Sequence, residues 1–132
     1  MFGMKAIYDE VCKRFPEVRS AAFEDNADQP YTVVTMIAEW LSHMPPDAIT
    51  PELIERVRAF SNWCEEQPRT ETATDDILTI WTVGFVEPLF KTQHTRRILT
   101  RIVSKETLTE GATYFKSWVG DENYEKALGE YA

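Results

Sequence analysis

Cysteine and histidine are scarce in this sequence, with two residues of each among 132. Cys12 and Cys64 stand 52 positions apart, so the chain lacks the closely spaced cysteines of a disulfide-stapled scaffold, and we expect buried, reduced thiols. His43 and His94 have no cysteine or histidine at the three- or four-residue spacing that brings metal ligands together on a helix. A transition-metal site is therefore not expected.

Long hydrophobic runs are also missing. The longest, residues 77–86, is ten residues long and is interrupted by Thr79, Thr82 and Gly84. A membrane-spanning helix needs about 20 apolar residues, so this run is expected to form core. The first fifteen residues carry Asp9 and Glu10 and lack the basic start and apolar centre of a secretory signal. These absences predict a cytoplasmic protein that does not associate with membranes.

Motifs of catalysis are absent as well. The five glycines form no phosphate-binding loop, and no Gly-x-Ser-x-Gly elbow presents a nucleophilic serine. The carboxylate pairs Asp75 with Asp76 and Glu65 with Glu66 are adjacent in sequence, so their members point to different sides of a helix. Such pairs are typical of solvated faces and of helix N-termini, where they compensate the dipole. We expect no catalytic residues, no cofactor and no enzymatic activity.

Positive charge is in short supply overall. Twenty-two acids against fourteen bases give a net charge of -8, which opposes general binding to nucleic acids or anionic membranes. Apolar residues make up 43% of the chain, and seven Phe, five Tyr and four Trp supply ample surface for a core. The length is that of one ordinary domain, so residues 1–132 are predicted to form a single domain.

Apolar residues recur at three- and four-residue spacing along almost the whole chain, and no stretch sustains the alternation of a half-buried strand. The pattern predicts an all-α fold, a compact bundle of six or seven helices, with paired helices like those of helical-repeat proteins as the alternative. One short helical turn is expected at 18–23. The predicted helices span about 3–15, 28–44, 51–67, 72 or 74 to 87, 92–103, 107–119 and 121–131.

Several helix ends carry recognisable signals. Thr50, followed by a proline, is expected to be an N-cap, and Thr107 with Glu110 has the spacing of a capping box. Gly120 is expected to end the sixth helix, and Asp121 to cap the last one. These residues fix the predicted boundaries more firmly than the apolar pattern alone.

The fourth predicted helix is apolar on nearly all sides, which is typical of a helix at the centre of a bundle. Gly84 lies inside it, although glycine costs about 1 kcal/mol relative to alanine in a helix interior. We therefore expect another helix to cross closely at Gly84.

Positive and negative charges are unevenly distributed along the sequence. Residues 91–105 contain five bases and no acid, so this segment is +5 and the remainder of the chain is -13. On a helix, one face would carry His94, Arg97, Arg101 and Lys105, here called the basic face. Two interpretations remain open: the face pairs with neighbouring acids and solvent, or it contacts an anion or a partner.

Three of the four tryptophans lie on or near apolar stripes, and Trp63 is the exception. It stands beside the inner row of the third predicted helix, next to Glu65 and Glu66. An aromatic residue in this position is typical of an interface anchor. The predicted partner-binding set, here called the acidic surface, consists of Trp63, Glu65, Glu66, Glu71, Asp75 and Asp76.

Two segments carry a resemblance to known proteins. The sequence Arg-Phe-Pro-Glu at 14–17 and the apolar helix opened by 75–77 and closed by 83–87 resemble small acidic all-helical bacterial proteins of unassigned activity. Such proteins in turn resemble the immunity proteins of bacterial toxin systems. The resemblance rests on packing residues; it implies an absence of enzyme machinery and assigns no functional residue.

These observations predict a non-catalytic protein-binding module, an immunity-type inhibitor that binds and neutralises a basic protein partner. The alternative is an adaptor or regulatory subunit that self-associates through the basic side of residues 91–105. The sequence leaves the oligomeric state open.

Overall fold

The computed structural model describes residues 6–72 and 76–131. It is 78% helical, and every regular element in the described ranges is a helix, so the prediction of an all-α fold is confirmed. The α-helices in these ranges are α1 (Ala6–Arg14), α2 (Ala21–Asp25), α3 (Pro30–Ser42), α4 (Pro51–Glu66), α5 (Ile77–Trp81), α6 (Gln93–Ile102), α7 (Lys105–Glu110), α8 (Ala112–Val119) and α9 (Asp121–Gly129).

These nine α-helices of the described ranges exceed the six or seven predicted, because the short turn expected at 18–23 is a separate helix at 21–25 and one predicted helix is divided in two. The connector after α1 forms α2, whose N-cap Ser20 accepts a hydrogen bond from the backbone N–H of Phe23. The predicted helix at 107–119 is two helices that meet at Gly111. A Cβ on Gly111 would lie 2.9 Å from the ring of Phe115, so this junction has no room for a side chain.

The capping predictions had mixed outcomes. Thr50 caps α4 as expected, since its hydroxyl accepts from the backbone N–H of Leu53. The capping box at Thr107 is wrong, because Ser104 caps α7 and accepts from the backbone N–H of Thr107. Gly120 ends α8 with φ +88°, a conformation that favours glycine, and Asp121 is the first residue of α9 instead of its cap.

The predicted fourth helix is not one continuous α-helix. After α5 the chain continues as a π-helical segment (Thr82–Val86) and a 3₁₀ segment (Glu87–Phe90). Proline at position 88 has no N–H, so it cannot donate to the carbonyl of Gly84 as an α-helix requires. That carbonyl instead accepts from the hydroxyl of Thr35 on α3, at 2.8 Å.

The close crossing at Gly84 is confirmed. A Cβ built there would collide with Cγ2 of Val34 and lie 3.3 Å from the backbone oxygen of Tyr31. The absence of a side chain therefore lets α3 and the π-helical segment touch. The buried hydrophobic residues form one cluster around this contact, with Phe15, Phe60, Phe85 and Phe90 among its largest members.

Two further features concern the cysteines and the length of the apolar helices. Cys64 is buried and Cys12 half-buried, and both are free thiols. Over 6–72 and 76–131, no helix combines the length and apolar content needed to cross a bilayer.

Candidate functional site

The acidic surface is only partly assembled as predicted. Trp63 is half-buried on α4 and stacks on Phe60, with ring centroids 5.8 Å apart and planes 10° from parallel. Glu65 and Glu66 at the end of α4 are exposed, as is Glu71 in the following loop. Three carboxylates therefore face solvent beyond a tryptophan that packs against the core.

Asp76 does not belong to that surface, and its assignment as an exposed partner contact is wrong. The residue is 2% exposed and is the N-cap of α5, where it accepts from the backbone N–H of Thr79. It also accepts from the guanidinium of Arg69 and the backbone N–H of Thr70. Asp76 thus holds the α4–α5 connection together. Asp75 lies outside the described residues.

Three members of the basic face lie together. His94, Arg97 and Arg101 all line a groove between α6 and the 3₁₀ segment Pro46–Ala48. Lys105 is not part of this helix face, because α6 ends at Ile102 and the backbone is extended at Val103. This groove of about 200 Å³, here called the basic groove, is lined by Pro46, Ile49, Gln93, His94, Arg97, Ile98 and Arg101.

The basic charges of α6 have few acidic partners. Glu130 is the carboxylate nearest to them, with Oε2 3.6 Å from Nε of Arg96 and Oε1 3.8 Å from Nε of Arg97. Arg101 donates to the backbone oxygen of Ile49 at 3.0 Å, a neutral acceptor. The interpretation that the basic face pairs with neighbouring acids and solvent therefore fits Arg97, which is exposed near Glu130, whereas Arg101 bonds to a neutral backbone oxygen.

The most exposed large aromatic side chain in the described ranges is Trp118, which the sequence analysis placed with the tryptophans on or near apolar stripes; its expected place in the core is wrong. It is 63% exposed, and Tyr114, one turn earlier on α8, is 39% exposed. Their ring centroids are 6.3 Å apart. We call this pair the aromatic patch. Its sequence signal is the four-residue spacing of Tyr114 and Trp118, one position before Phe115 and Val119, which face the core.

A groove adjoins the aromatic patch, and its wall is formed by the 3₁₀ segment Glu87–Phe90 together with Val83 of the π-helical segment. Its volume is about 270 Å³. Such π-helical turns are rare and frequently occur at functional sites. The groove, here called the aromatic groove, is lined by Val83, Glu87, Pro88, Phe90, Lys91, Trp118, Val119 and Asn123.

Tyr114 is positioned by a carboxylate from this groove. Its hydroxyl donates to Oε2 of Glu87 at 2.9 Å. Partial burial raises the pKa of Glu87, and burial together with this hydrogen bond raises the pKa of Tyr114 to about 12. The bond connects α8 to the 3₁₀ segment and fixes one ring of the aromatic patch, while the ring of Trp118 stays exposed.

The arrangement supports binding through shape and charge. In the described part of the chain, no three His, Cys, Asp or Glu side chains are placed to hold a metal ion. The exposed features are an aromatic patch beside one groove and guanidinium groups in another. Comparison with known proteins finds no family model, no curated protein and no solved structure that matches this chain.

Proposed function

We propose that this chain is a non-catalytic protein-binding module that covers a functional surface of a basic protein, as an immunity-type inhibitor does. The observation that carries the proposal is the aromatic patch. Trp118 is 63% exposed in a molecule that buries Trp81 to 3%. An exposed tryptophan beside a tyrosine supplies a large contact area at small cost in conformational entropy, and such residues dominate the energetics of interfaces.

The surroundings of Trp118 suit a protein surface. Tyr114 is held by Glu87, so half of the aromatic patch is already ordered before a partner arrives. The adjoining aromatic groove offers a concave space of about 270 Å³ for a side chain of the partner. Preorganisation of this kind lowers the entropy lost on binding.

Charge supports the choice of a basic partner. The net charge is -8, and Glu65, Glu66 and Glu71 are exposed. Asp121 and Glu122 are exposed at the start of α9, directly after the helix that carries Trp118. A negative field of this kind speeds association with a positively charged protein and slows it with an acidic one. The resemblance to immunity proteins favours the same reading.

Affinity capture with matched baits tests the proposal. The wild-type chain, Trp118→Ala and Trp63→Ala would each be immobilised, and the bound proteins identified by mass spectrometry. We expect one basic protein to be retained by the wild type and by Trp63→Ala, and lost with Trp118→Ala. Retention of that protein by Trp118→Ala, or capture of an acidic protein through the same patch, would contradict the proposal.

Binding kinetics then distinguish the effect of Trp118 on the dissociation rate from the effect of the acidic residues on the association rate. Trp118→Ala should speed dissociation of the captured partner by about tenfold or more, because truncated anchors act mainly on the dissociation rate. The triple variant Glu65→Gln, Glu66→Gln, Glu71→Gln should slow association severalfold at low salt and little at physiological salt. If the association rate depends neither on the salt concentration nor on these three substitutions, the partner binds at another surface of the chain.

A further inference from the structure

The basic groove lies apart from the residues that carry the proposed function. It lies between the 3₁₀ segment Pro46–Ala48 and α6, and Arg101 joins its two sides through the bond to the backbone oxygen of Ile49. We propose that this groove binds an acidic peptide segment of a second protein, with an apolar side chain in the groove and carboxylates on the guanidinium groups. This inference does not depend on the proposed function.

The floor of the groove is apolar. Pro46 is exposed, and the buried Ile49 and Ile98 each contribute to the lining. The volume of about 200 Å³ accommodates one aliphatic side chain. A purely electrostatic site for a small anion has no need of such a floor.

The rim holds more positive than negative charge. Arg96 and Arg97 share one carboxylate, Glu130, at 3.6 and 3.8 Å. Arg96 is 11% exposed and also donates to the backbone oxygen of Phe90, whereas Arg97 is 67% exposed and free to reach a ligand. No ion pair joins Arg101 to a carboxylate anywhere in 6–72 or 76–131. Two guanidinium groups at the groove therefore keep unused donors.

His94 is the third member of the basic face in the groove lining, and it is half-buried. Its Nε2 is shielded from solvent and has no hydrogen-bond partner in the described part of the chain. Because a shielded atom is not reached from the groove, the inference rests on the two arginines and the apolar floor.

The arginines and the apolar floor together determine which kind of ligand the basic groove can bind. Arginine pairs bind carboxylates in a two-pronged geometry, and clusters of arginine are a recurring means of recognising acidic motifs. Nucleic acid also offers anions, but the net charge of -8 opposes a long polyanion that would extend beyond the groove. A short acidic segment with one apolar residue satisfies both the floor and the rim.

Titration of the ¹⁵N-labelled full chain, followed by NMR, tests the inference with three probes. They are the peptide acetyl-Glu-Leu-Asp-Glu-amide, its neutral counterpart acetyl-Gln-Leu-Asn-Gln-amide, and inorganic phosphate. We expect the acidic peptide to shift the amide resonances of Ile49, Gln93 and Ile98, with a dissociation constant at least about fivefold below those of the other two probes. Equal affinity for the neutral peptide, or for phosphate alone, would overturn the inference.

A matched pair of variants tests whether the acidic peptide binds at Arg97. Arg97→Gln should weaken binding of the acidic peptide by about tenfold, since Arg97 is exposed and its loss removes a charged donor. Arg58→Gln, an exposed arginine on α4 outside the groove, should leave the affinity unchanged. Unfolding temperatures of both variants would confirm intact folds. Equal affinities in the two variants, or tighter binding of a thymidine decanucleotide than of the peptide, would also overturn it.

Discussion

Arg69 and Asp76 form a two-pronged ion pair across the connection between α4 and α5. Nε of Arg69 lies 3.0 Å from Oδ1 of Asp76, and Nη2 lies 2.9 Å from Oδ2. The arginine side chain is 63% exposed, whereas that of the aspartate is 3% exposed. The guanidinium covers the carboxylate and holds its pKa well below the usual range, aided by hydrogen bonds from Thr79 and Thr70.

Acid should therefore destabilise the protein partly through Asp76. A pKa lowered in the folded state stabilises the fold above the unfolded value, near 3.8, and this contribution is lost as pH falls toward the folded value. We expect the free energy of unfolding to drop between about pH 4.5 and pH 2, and to drop less steeply in Asp76→Asn. Chemical denaturation followed by circular dichroism at several pH values checks this. Glu65→Gln is the exposed control, and equal slopes in Asp76→Asn and the wild type would contradict the prediction.

Gly84→Ala should destabilise the centre of the fold. The added Cβ would meet Cγ2 of Val34, which cannot move without disturbing the core, so we expect a loss of about 1 to 3 kcal/mol. Val34→Ala in the same chain should recover part of that loss. Gly129→Ala is the control, because nothing lies within 4 Å of its added Cβ. Thermal unfolding of the four proteins measures the effect, and a stable Gly84→Ala would contradict the close crossing.

Trp118 should contribute little to stability. Trp81 is 3% exposed, so Trp81→Ala is expected to cost about 3 to 5 kcal/mol, whereas Trp118→Ala should stay within about 1 kcal/mol of the wild type. Urea denaturation of both variants gives the comparison. A large loss in Trp118→Ala would mean that this side chain supports the fold and would remove the main argument for an interface.

Cys64 should be an unreactive thiol. It is fully buried, and burial raises its pKa far above the usual value, so the nucleophilic thiolate is scarce at neutral pH. In Cys12→Ser, reaction with Ellman's reagent should proceed only on the timescale of unfolding and become fast in denaturant. Cys64→Ser leaves the half-buried Cys12 as the comparison. Rapid labelling of Cys64 in the native protein would contradict its position in the core.

Much of the fold follows from local sequence signals. Thr50 before a proline is sufficient to begin α4, because the cap bond to Leu53 spans only three residues. The helical period predicts four of the five buried residues of α4, Leu53, Val57, Phe60 and Cys64, and misses Ile54. Ser104 and Thr107 are both suitable caps three residues apart, and the local pattern alone did not decide between them.

The candidate site depends on contacts that are distant in sequence. Trp63 and Trp118 both stand beside an apolar stripe, but Trp63 is half-buried on α4, which packs against α1, α5 and α6. In α8, Trp118 remains outside the contacts with α9 and the 3₁₀ segment. The residues next to Asp76 in the sequence resemble those next to an exposed acid. Its burial results from the ion pair with Arg69. The local sequence pattern does not show which face of α4 or α8 a neighbouring helix covers.

The hydrogen bond from Thr35 to the carbonyl of Gly84 connects residues 49 positions apart, at the point where α3 passes close to the backbone of Gly84. Detaching the π-helical segment from α3 would break this hydrogen bond and expose the core cluster at the same time. We therefore expect that the segment does not open on its own. Amide protons of α3 and of Thr82–Val86 should exchange with solvent only when the whole protein unfolds, with a common, maximal protection. Those of α8 and α9, which join through Gly120 at the edge of the cluster, can exchange through smaller openings. The exposed Trp118 is carried by α8 and so lies in the part of the fold that is expected to open before the centre does.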